Sequence, residues 1–266
     1  MSLYRSIRAY TRKELKASIR FKIGFFNRML APTITMVSFF VTYSAVFFGA
    51  KVDDLGFIQK ENYVLYLLTA FLTYTFFRLT WQRTSLHEEK IMQTLDGMLL
   101  APGSRLYILI GKASRVFIEI FMSVTIFIVA LAFLRPSISL KGLAVGSFAL
   151  ILLFIIFISM DFMVSAIGLA NEGWAGFLVS YLPRGFALIG CAYYPVDVIP
   201  QFVRPLVYLN PLYHAVNLFR SAFMQADLRF GVEGPLIYLI VLAIVLPIIS
   251  GIFFEWVLQR WGVKGY

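Results

Sequence analysis

Long apolar runs alternate with short polar segments along this chain, and six of the runs are long enough to cross a bilayer as helices. A helix needs about 20 residues to span the hydrocarbon core. The predicted spans are residues 29–50, 63–81, 106–134, 140–170, 174–194 and 235–258. The pattern therefore predicts an all-α polytopic membrane protein with six transmembrane helices, whose two longest spans tilt or project into water.

Residues 1–24 precede the first span and form a basic amphipathic pattern. At 100° per residue, Leu3, Ile7 and Tyr10 project to one side of a helix, and Arg12 and Lys16 project to the other. This pattern predicts an interface helix that lies in the headgroup plane. The alternative is a solvated positive tail.

A second amphipathic segment, residues 86–100, lies between the second and third spans. Its apolar stripe has the helical spacing i, i+4, i+7, i+8 and consists of Ile91, Leu95, Met98 and Leu99. The polar face carries Glu88, Glu89, Gln93 and Asp96. Ala101-Pro102-Gly103 ends the helix. We expect a short cytoplasmic helix with one face on protein or lipid and the other available to a soluble partner.

The segment after the fifth span is interrupted by prolines at positions 195, 200, 205 and 211. Proline inside a helix removes a hydrogen bond and clashes with the preceding turn. We therefore expect Pro195 to end the fifth span, and Pro200 and Pro205 to separate short helical pieces. Asn210 is a predicted N-cap with Pro211 at the first helical position. Residues 195–230 are thus predicted to fold back toward the membrane as a lid.

Composition and charge support a membrane protein with cytoplasmic termini. Hydrophobic residues make up 60% of the 266-residue chain, charged residues make up 14%, and the net charge is +10. Basic residues cluster before the first span and after the second, which places both ends in the cytoplasm. Arg204, Arg220 and Arg229 then fall on the outer side, against the usual bias. The only cysteine, Cys191, permits no internal disulfide.

The sequence contains no pattern that predicts catalysis or metal binding. Gly111-Lys112-Ala113-Ser114 lacks the upstream glycine of a phosphate-binding loop. His87 and His214 fall on opposite sides of the membrane and, with one cysteine, form no metal site. We predict no catalytic residue, no cofactor site and no metal site in this chain, and therefore no enzyme activity of its own.

Two ionisable residues fall inside predicted spans. Asp161 is nine residues before the cytoplasmic end of the fourth span, and Arg184 is ten residues into the fifth. Adjacent antiparallel helices place them at similar depth, which predicts an intramembrane ion pair. Such a pair either fixes helix packing or belongs to a transport path.

Three segments together resemble the transmembrane subunit of an ABC-2 type (type V, ABCG-like fold) exporter, and the resemblance covers essentially the whole chain. The first is the N-terminal amphipathic helix. The second is Glu88-Glu89-Lys90 followed by residues 94–105, which resembles the family's coupling-helix segment, although Gln93 stands where glycine is usual. The third and most specific comprises Gly190, Tyr194-Pro195, Ile199-Pro200, Asn210-Pro211-Leu212, His214 and Arg220.

The resemblance implies a half-transporter that pairs with a second copy or a related permease. Separate nucleotide-binding subunits would bind ATP and Mg²⁺ and dock on Glu88, Glu89, Ile91, Leu95, Asp96, Met98 and Leu99. The extracytoplasmic gate or substrate path would include Tyr193, Tyr194, Pro195, Pro200, Asn210, Pro211 and His214. The expected location is a prokaryotic plasma (inner) membrane, with membrane lipids as neighbours and no nucleic-acid partner.

The substrate class follows from the same resemblance, since relatives export lipid-linked polysaccharides, lipo-oligosaccharides and drugs. An amphipathic glycolipid-like or drug-like substrate is expected. The outer tyrosines can stack on such a substrate or form an ordinary interface belt. Two rival functions are a secondary transporter or channel without ATP coupling, and a membrane-embedded transferase.

Overall fold

The computed structural model describes residues 8–13, 16, 20, 22–49, 54, 55, 58–81, 105–170, 172–224 and 226–261. Helix α1 (Lys22–Ser44) continues into a π-helical turn (Ala45–Gly49). The remaining helices are α2 (Tyr63–Thr80), α3 (Arg105–Leu134), α4 (Leu140–Ala170), α5 (Glu172–Ile189), α6 (Arg204–Tyr208), α7 (Pro211–Arg220) and α8 (Glu233–Trp261).

The fold is that of an α-helical membrane protein with one small addition. Strands β1 (Asp54–Leu55) and β2 (Ile58–Gln59) pair antiparallel between the first two predicted spans. The all-α prediction omitted this hairpin because two-residue strands leave no periodic signal in the sequence.

Each of the six predicted spans is largely helical, and among the described residues length and composition identify three helices as able to cross a membrane. These three stretches are Tyr63–Thr80, Leu140–Gly168 and Glu233–Val257. Shorter apolar helical stretches are Thr33–Gly49, Ser123–Leu134 and Gly176–Ile189. The membrane class is thus supported, and the full set of six crossings stays a prediction.

Two helix bounds differ from the predicted spans. Helix α1 begins at Lys22 rather than Met29, because the apolar run marks the part suited to lipid while the helix continues into the basic segment before it. Helix α5 ends at Ile189 rather than Tyr194. Cys191 has φ of 47°, and a left-handed residue at this position terminates a helix before Pro195 is reached.

The two predicted cytoplasmic helices lie mostly outside the described residues. Residues 8–13, 16 and 20 are helical, as the interface helix requires, and the rest of 1–21 is not described. The whole of the predicted coupling helix, residues 86–100, also lies outside the described residues.

Helix α4 is the central helix and packs against α2, α5, α7 and α8. It is apolar on every face, which suits a helix with neighbours all round. A Cβ atom on Gly142 would lie 2.8 Å from the Ala222 Cα, and one on Gly146 would lie 2.5 Å from the Phe219 Cα. The two glycines therefore form a small-residue seam that lets the backbone of α7 and the turn after it lie directly on α4.

Aromatic side chains join α2, α4 and α5 near the predicted cytoplasmic end of α2. The ring of Phe157 lies 4.7 Å from that of Phe77, 5.7 Å from that of Trp81 and 5.6 Å from that of Phe186, in edge-to-face geometries. Such pairs are favourable beyond the area they bury. This cluster holds α2, α4 and α5 together.

Candidate functional site at the outer end of the helices

The outer segment, defined as residues 190–232 between α5 and α8, consists of short helical pieces that begin at prolines. Pro195 directly precedes a 3₁₀ turn (Val196–Val198), Pro205 lies in the first turn of α6, and Pro211 is the first residue of α7. The missing N–H of proline costs least at these positions. The predicted division into short helices is therefore confirmed.

Asn210 joins the start of α7 to the end of α5. Its Oδ1 accepts a hydrogen bond from the Leu212 N–H at 3.0 Å, which is the predicted N-cap. Its Nδ2 donates to the Phe186 carbonyl at 2.8 Å, one of the carbonyls in the last turn of α5. One buried amide thus satisfies free backbone groups of two helices.

We expect Asn210→Ala to lower the free energy of unfolding by about 1–2 kcal/mol, because it removes the cap and leaves the Phe186 carbonyl without its donor. The midpoint of thermal unfolding in matched detergent measures the loss. Asn210→Ser keeps a cap acceptor but is too short to reach Phe186, so its midpoint should fall between the other two. Equal midpoints for the wild type and Asn210→Ala would contradict this role.

Arg220, at the end of α7, is buried with 2% of its surface exposed and links three parts of the fold. Its Nη2 donates to the Ala192 carbonyl at 2.7 Å, and its Nε donates to Thr69 Oγ1 on α2 at 3.3 Å. The guanidinium carbon lies 3.5 Å from the centre of the Tyr66 ring. Within the described part of the chain no carboxylate pairs with Arg220, so carbonyl, hydroxyl and aromatic groups stabilise its charge.

A second polar cluster lies nearer the surface of the outer segment. Arg229 Nη2 contacts Asp197 Oδ1 at 2.9 Å, and its Nε contacts Asp227 Oδ1 at 3.1 Å. Arg204 Nη1 lies 3.7 Å from Asp197 Oδ1. Tyr213 donates its hydroxyl hydrogen to Asp227 Oδ2 at 2.7 Å. The hydrogen bond to Asp197 raises the pKa of Arg229, and burial together with the bond to Asp227 raises the pKa of Tyr213.

These two clusters account for the outer arginines that opposed the charge bias. Arg204 and Arg229 are paired with aspartates, and Arg220 is enclosed by α2 and α7. The contacts of these three arginines therefore serve the packing of the outer segment, and the predicted orientation rests on the basic residues elsewhere in the sequence.

Of the two tyrosines predicted for the gate, Tyr193 is buried and Tyr194 is partly exposed. Tyr193 stacks on Phe39 of α1 with ring centres 4.7 Å apart and meets Tyr74 of α2 edge-on at 5.4 Å. Tyr194 donates its hydroxyl hydrogen to the Leu188 carbonyl. In this conformation both tyrosines join the outer segment to its neighbours.

His214 is enclosed in the same way. Its Nε2 lies 2.7 Å from the Tyr208 carbonyl oxygen, and its ring meets Tyr213 and Tyr238 at 5.2 and 5.3 Å. Burial lowers the pKa of His214. A neutral imidazole that donates to a carbonyl suits this position, so His214 holds α7 against the neighbouring turn and α8.

Other apolar side chains of the outer segment are exposed, and among them the sequence had pointed to Phe202 as an aromatic residue near the outer mouth. Phe202 is 84% exposed, the largest fraction among them. The others are Val198, Leu206, Leu209, Phe230 and Val232. A soluble protein rarely presents so many large apolar side chains together, so this surface is suited to lipid or to another protein surface.

The predicted ion pair between Asp161 and Arg184 stays a prediction, because the structure shows the burial of each residue but not the pair itself. Asp161 is fully buried on α4 and is not without a partner. The Arg184 side chain is exposed, with its guanidinium carbon 5.7 Å from the centre of the Tyr181 ring. Sequence distance indicates depth in the membrane, but the rotation of α5 decides which way Arg184 points, and that rotation turns it outward.

The predicted docking residues for an ATPase subunit lie outside the described residues, so they stay a prediction. Among the described residues no group of three or more His, Cys, Asp or Glu side chains is placed to hold a metal ion. The described residues form a helical membrane domain. Polar contacts hold its outer segment against the neighbouring helices.

The comparison with known families agrees with this architecture. A family model described as ABC-2 type transporter matches residues 5–224, which includes α7 and the buried Arg220. A search of curated proteins found no match to this chain. The match covers well over half of the sequence, and the chain belongs to the ABC-2 type transporter family.

Proposed function

We propose that this chain is the permease subunit of an ATP-driven exporter, and that it moves an amphipathic substrate out of the cytoplasm by alternating access. The observation that carries the proposal is the match to the ABC-2 type transporter family over residues 5–224. Helices long and apolar enough to cross a membrane agree with it. The proposed location is the plasma membrane of a prokaryote, with both termini in the cytoplasm.

ATP and Mg²⁺ would be bound by a separate nucleotide-binding subunit, because this sequence carries no phosphate-binding loop. The apolar stripe and acidic face of residues 86–100 are proposed as the docking element. Its contact residues are Glu88, Glu89, Ile91, Leu95, Asp96, Met98 and Leu99. Closure of the ATPase subunits would move this element and, through the helices attached to it, the outer segment.

A second copy of the chain is proposed to pack along the exposed face of α5. Tyr181, Arg184 and Leu188 lie on this face at helical spacing and are exposed. A cation within a membrane helix is costly against lipid tails, so it normally faces a protein neighbour or a water-filled cavity. Pairing two copies through this face would place Arg184 beside the path between them.

The central test is coexpression with a candidate nucleotide-binding subunit, followed by copurification and ATPase assay in lipid. Leu95→Asp should lower the bound ATPase subunit by about tenfold or more, because it buries an unpaired carboxylate in the contact. Leu206→Asp is the matched control, since Leu206 is exposed on the outer segment. It should retain full binding.

Two results would overturn the proposal. One is substrate transport by the purified chain alone, driven by an ion gradient, which would favour a secondary transporter. The other is equal ATPase binding by Leu95→Asp and the wild type.

A further inference from the structure

An apolar groove lies between α2, α3 and α4, closed at one end by the last turn of α7 and the turn after it. Its volume is about 680 Å³. Ser147 is the single polar residue among those that line it, and its floor includes the buried side chains of Ile120 and Phe127. No step of the proposed transport cycle uses this groove.

The groove opens sideways, on the surface that these helices present to lipid. Phe121, Ile128 and Ile151 line it and are 68%, 58% and 53% exposed. The lining on α3 runs from Ile120 to Ala132, which is about 18 Å at 1.5 Å per residue. This length matches about one leaflet of a hydrocarbon core that is roughly 30 Å thick.

The outer end of the groove carries two cations. Ile138 lines the groove within the segment that joins α3 to α4, and Arg135 and Lys141 flank this segment, both exposed. Residues 135–141 contain no acidic side chain. Within the described residues neither Arg135 nor Lys141 pairs with a carboxylate, so both charges are available to an anion.

The backbone holds this cationic end in place. The Ser139 N–H donates to the Ala222 carbonyl at 2.8 Å, which ties the joining segment to the end of α7. Arg135 has φ of 46° and its N–H donates to the Leu131 carbonyl at 2.8 Å, a left-handed cap that ends α3. These hydrogen bonds fix the backbone from which the two cations extend.

We propose that the groove binds a phospholipid with an anionic headgroup from the leaflet on this side of the membrane. An acyl chain would occupy the apolar groove, and the headgroup phosphate would lie between Arg135 and Lys141. A transmembrane helix fits less well. Its apolar surface would leave Arg135 and Lys141 without an anion, whereas a lipid phosphate supplies one. The proposal rests on this groove alone and is independent of the proposed transport function.

The test is to reconstitute the purified chain with equal amounts of phosphatidylglycerol and phosphatidylcholine, re-extract it gently and quantify both lipids per chain. The wild type should retain phosphatidylglycerol in preference. One cation near an anionic surface strengthens binding about fivefold. Arg135→Gln/Lys141→Gln should therefore reduce the preference for phosphatidylglycerol over phosphatidylcholine about 20-fold. Retention of phosphatidylcholine should not change. Lys60→Gln, an exposed cation elsewhere on the same side, is the control and should leave the preference intact.

A groove-filling variant, Val124→Trp, separates the acyl contact from the charge contact. It should reduce retention of both lipids, while the thermal unfolding midpoint and gel-filtration profile show whether the variant is folded. If it does not fold, the charge variants alone decide the proposal. An unchanged phosphatidylglycerol preference in Arg135→Gln/Lys141→Gln would overturn the proposal, as would an equal loss in Lys60→Gln. A change of oligomeric state in Val124→Trp would also overturn it, since a second copy would then occupy the groove.

Discussion

Replacing Gly146 by valine is expected to prevent stable packing of the outer segment and to abolish transport. Even the first added carbon would lie 2.5 Å from the Phe219 Cα, and the obstructing atom belongs to the backbone, so no side-chain rotation relieves the clash. Overpacking of this kind typically costs about 1–3 kcal/mol, which is a substantial part of the free energy of unfolding of many proteins. Helix α7 must then move away from α4, and the Arg220 contacts move with it.

The measurement is the thermal unfolding midpoint in matched detergent, together with substrate-stimulated ATPase activity in the assembled transporter. Gly146→Ala should be destabilised and Gly146→Val more so. Gly251→Val is the matched control, because a Cβ at Gly251 of α8 meets nothing within 4 Å. Its midpoint should stay close to that of the wild type. A Gly146→Val protein as stable as Gly251→Val would refute the close approach of α7 to α4.

Arg220→Met should produce the second large effect, a loss of about 2–3 kcal/mol in the free energy of unfolding. The substitution keeps the apolar volume but removes two charged hydrogen bonds, to Ala192 and Thr69, each of which contributes roughly 1.5–3 kcal/mol. Part of this loss is offset because a guanidinium no longer has to be buried. It also leaves the Ala192 carbonyl without this donor. Because Arg220 joins α7 to α2, we expect ATPase stimulation by substrate to fall together with stability.

Arg204→Met is the control on the same segment. The Arg204 side chain is 23% exposed and lies 3.7 Å from the Asp197 carboxylate, and it donates to the Ile199 and Asp197 carbonyls at 3.1 Å. Water can replace partly exposed contacts of this kind, so Arg204→Met should lose less stability than Arg220→Met. A double-mutant cycle of Arg220→Met with Thr69→Val should show a coupling of at least about 0.5 kcal/mol. Purely additive losses, or a greater loss in Arg204→Met than in Arg220→Met, would contradict the proposed link.

Local chemistry accounts for the features that the sequence predicted well. Helices α2 and α4 begin at Tyr63 and Leu140 because polar or proline-containing segments bound long apolar runs. Asn210 and Pro211 predicted the start of α7 because capping depends only on neighbouring backbone groups. No such signal marks the end of α5, where Cys191 adopts a left-handed conformation that the later Pro195 did not reveal.

Features that depend on helix rotation and on contacts between distant residues were not predictable in the same way. Asp161 and Arg184 were placed at a common depth, yet burial of one and exposure of the other depend on how α4 and α5 pack. The role of Gly146 depends on a helix about 70 residues further along the chain. Arg220 was visible in the sequence only as part of a family motif, and its position against Tyr66 required the fold.

By itself, the sequence determined the membrane class, the positions of the apolar helices, the division of the outer segment and the resemblance to the ABC-2 family. These follow from hydropathy, proline chemistry and capping, which act over a few residues. The packing role of the outer arginines, the burial of Tyr193 and the apolar groove with cations at one end became visible only in the folded chain. Those features arise from side chains far apart in sequence, whose distances are set by the packing of whole helices.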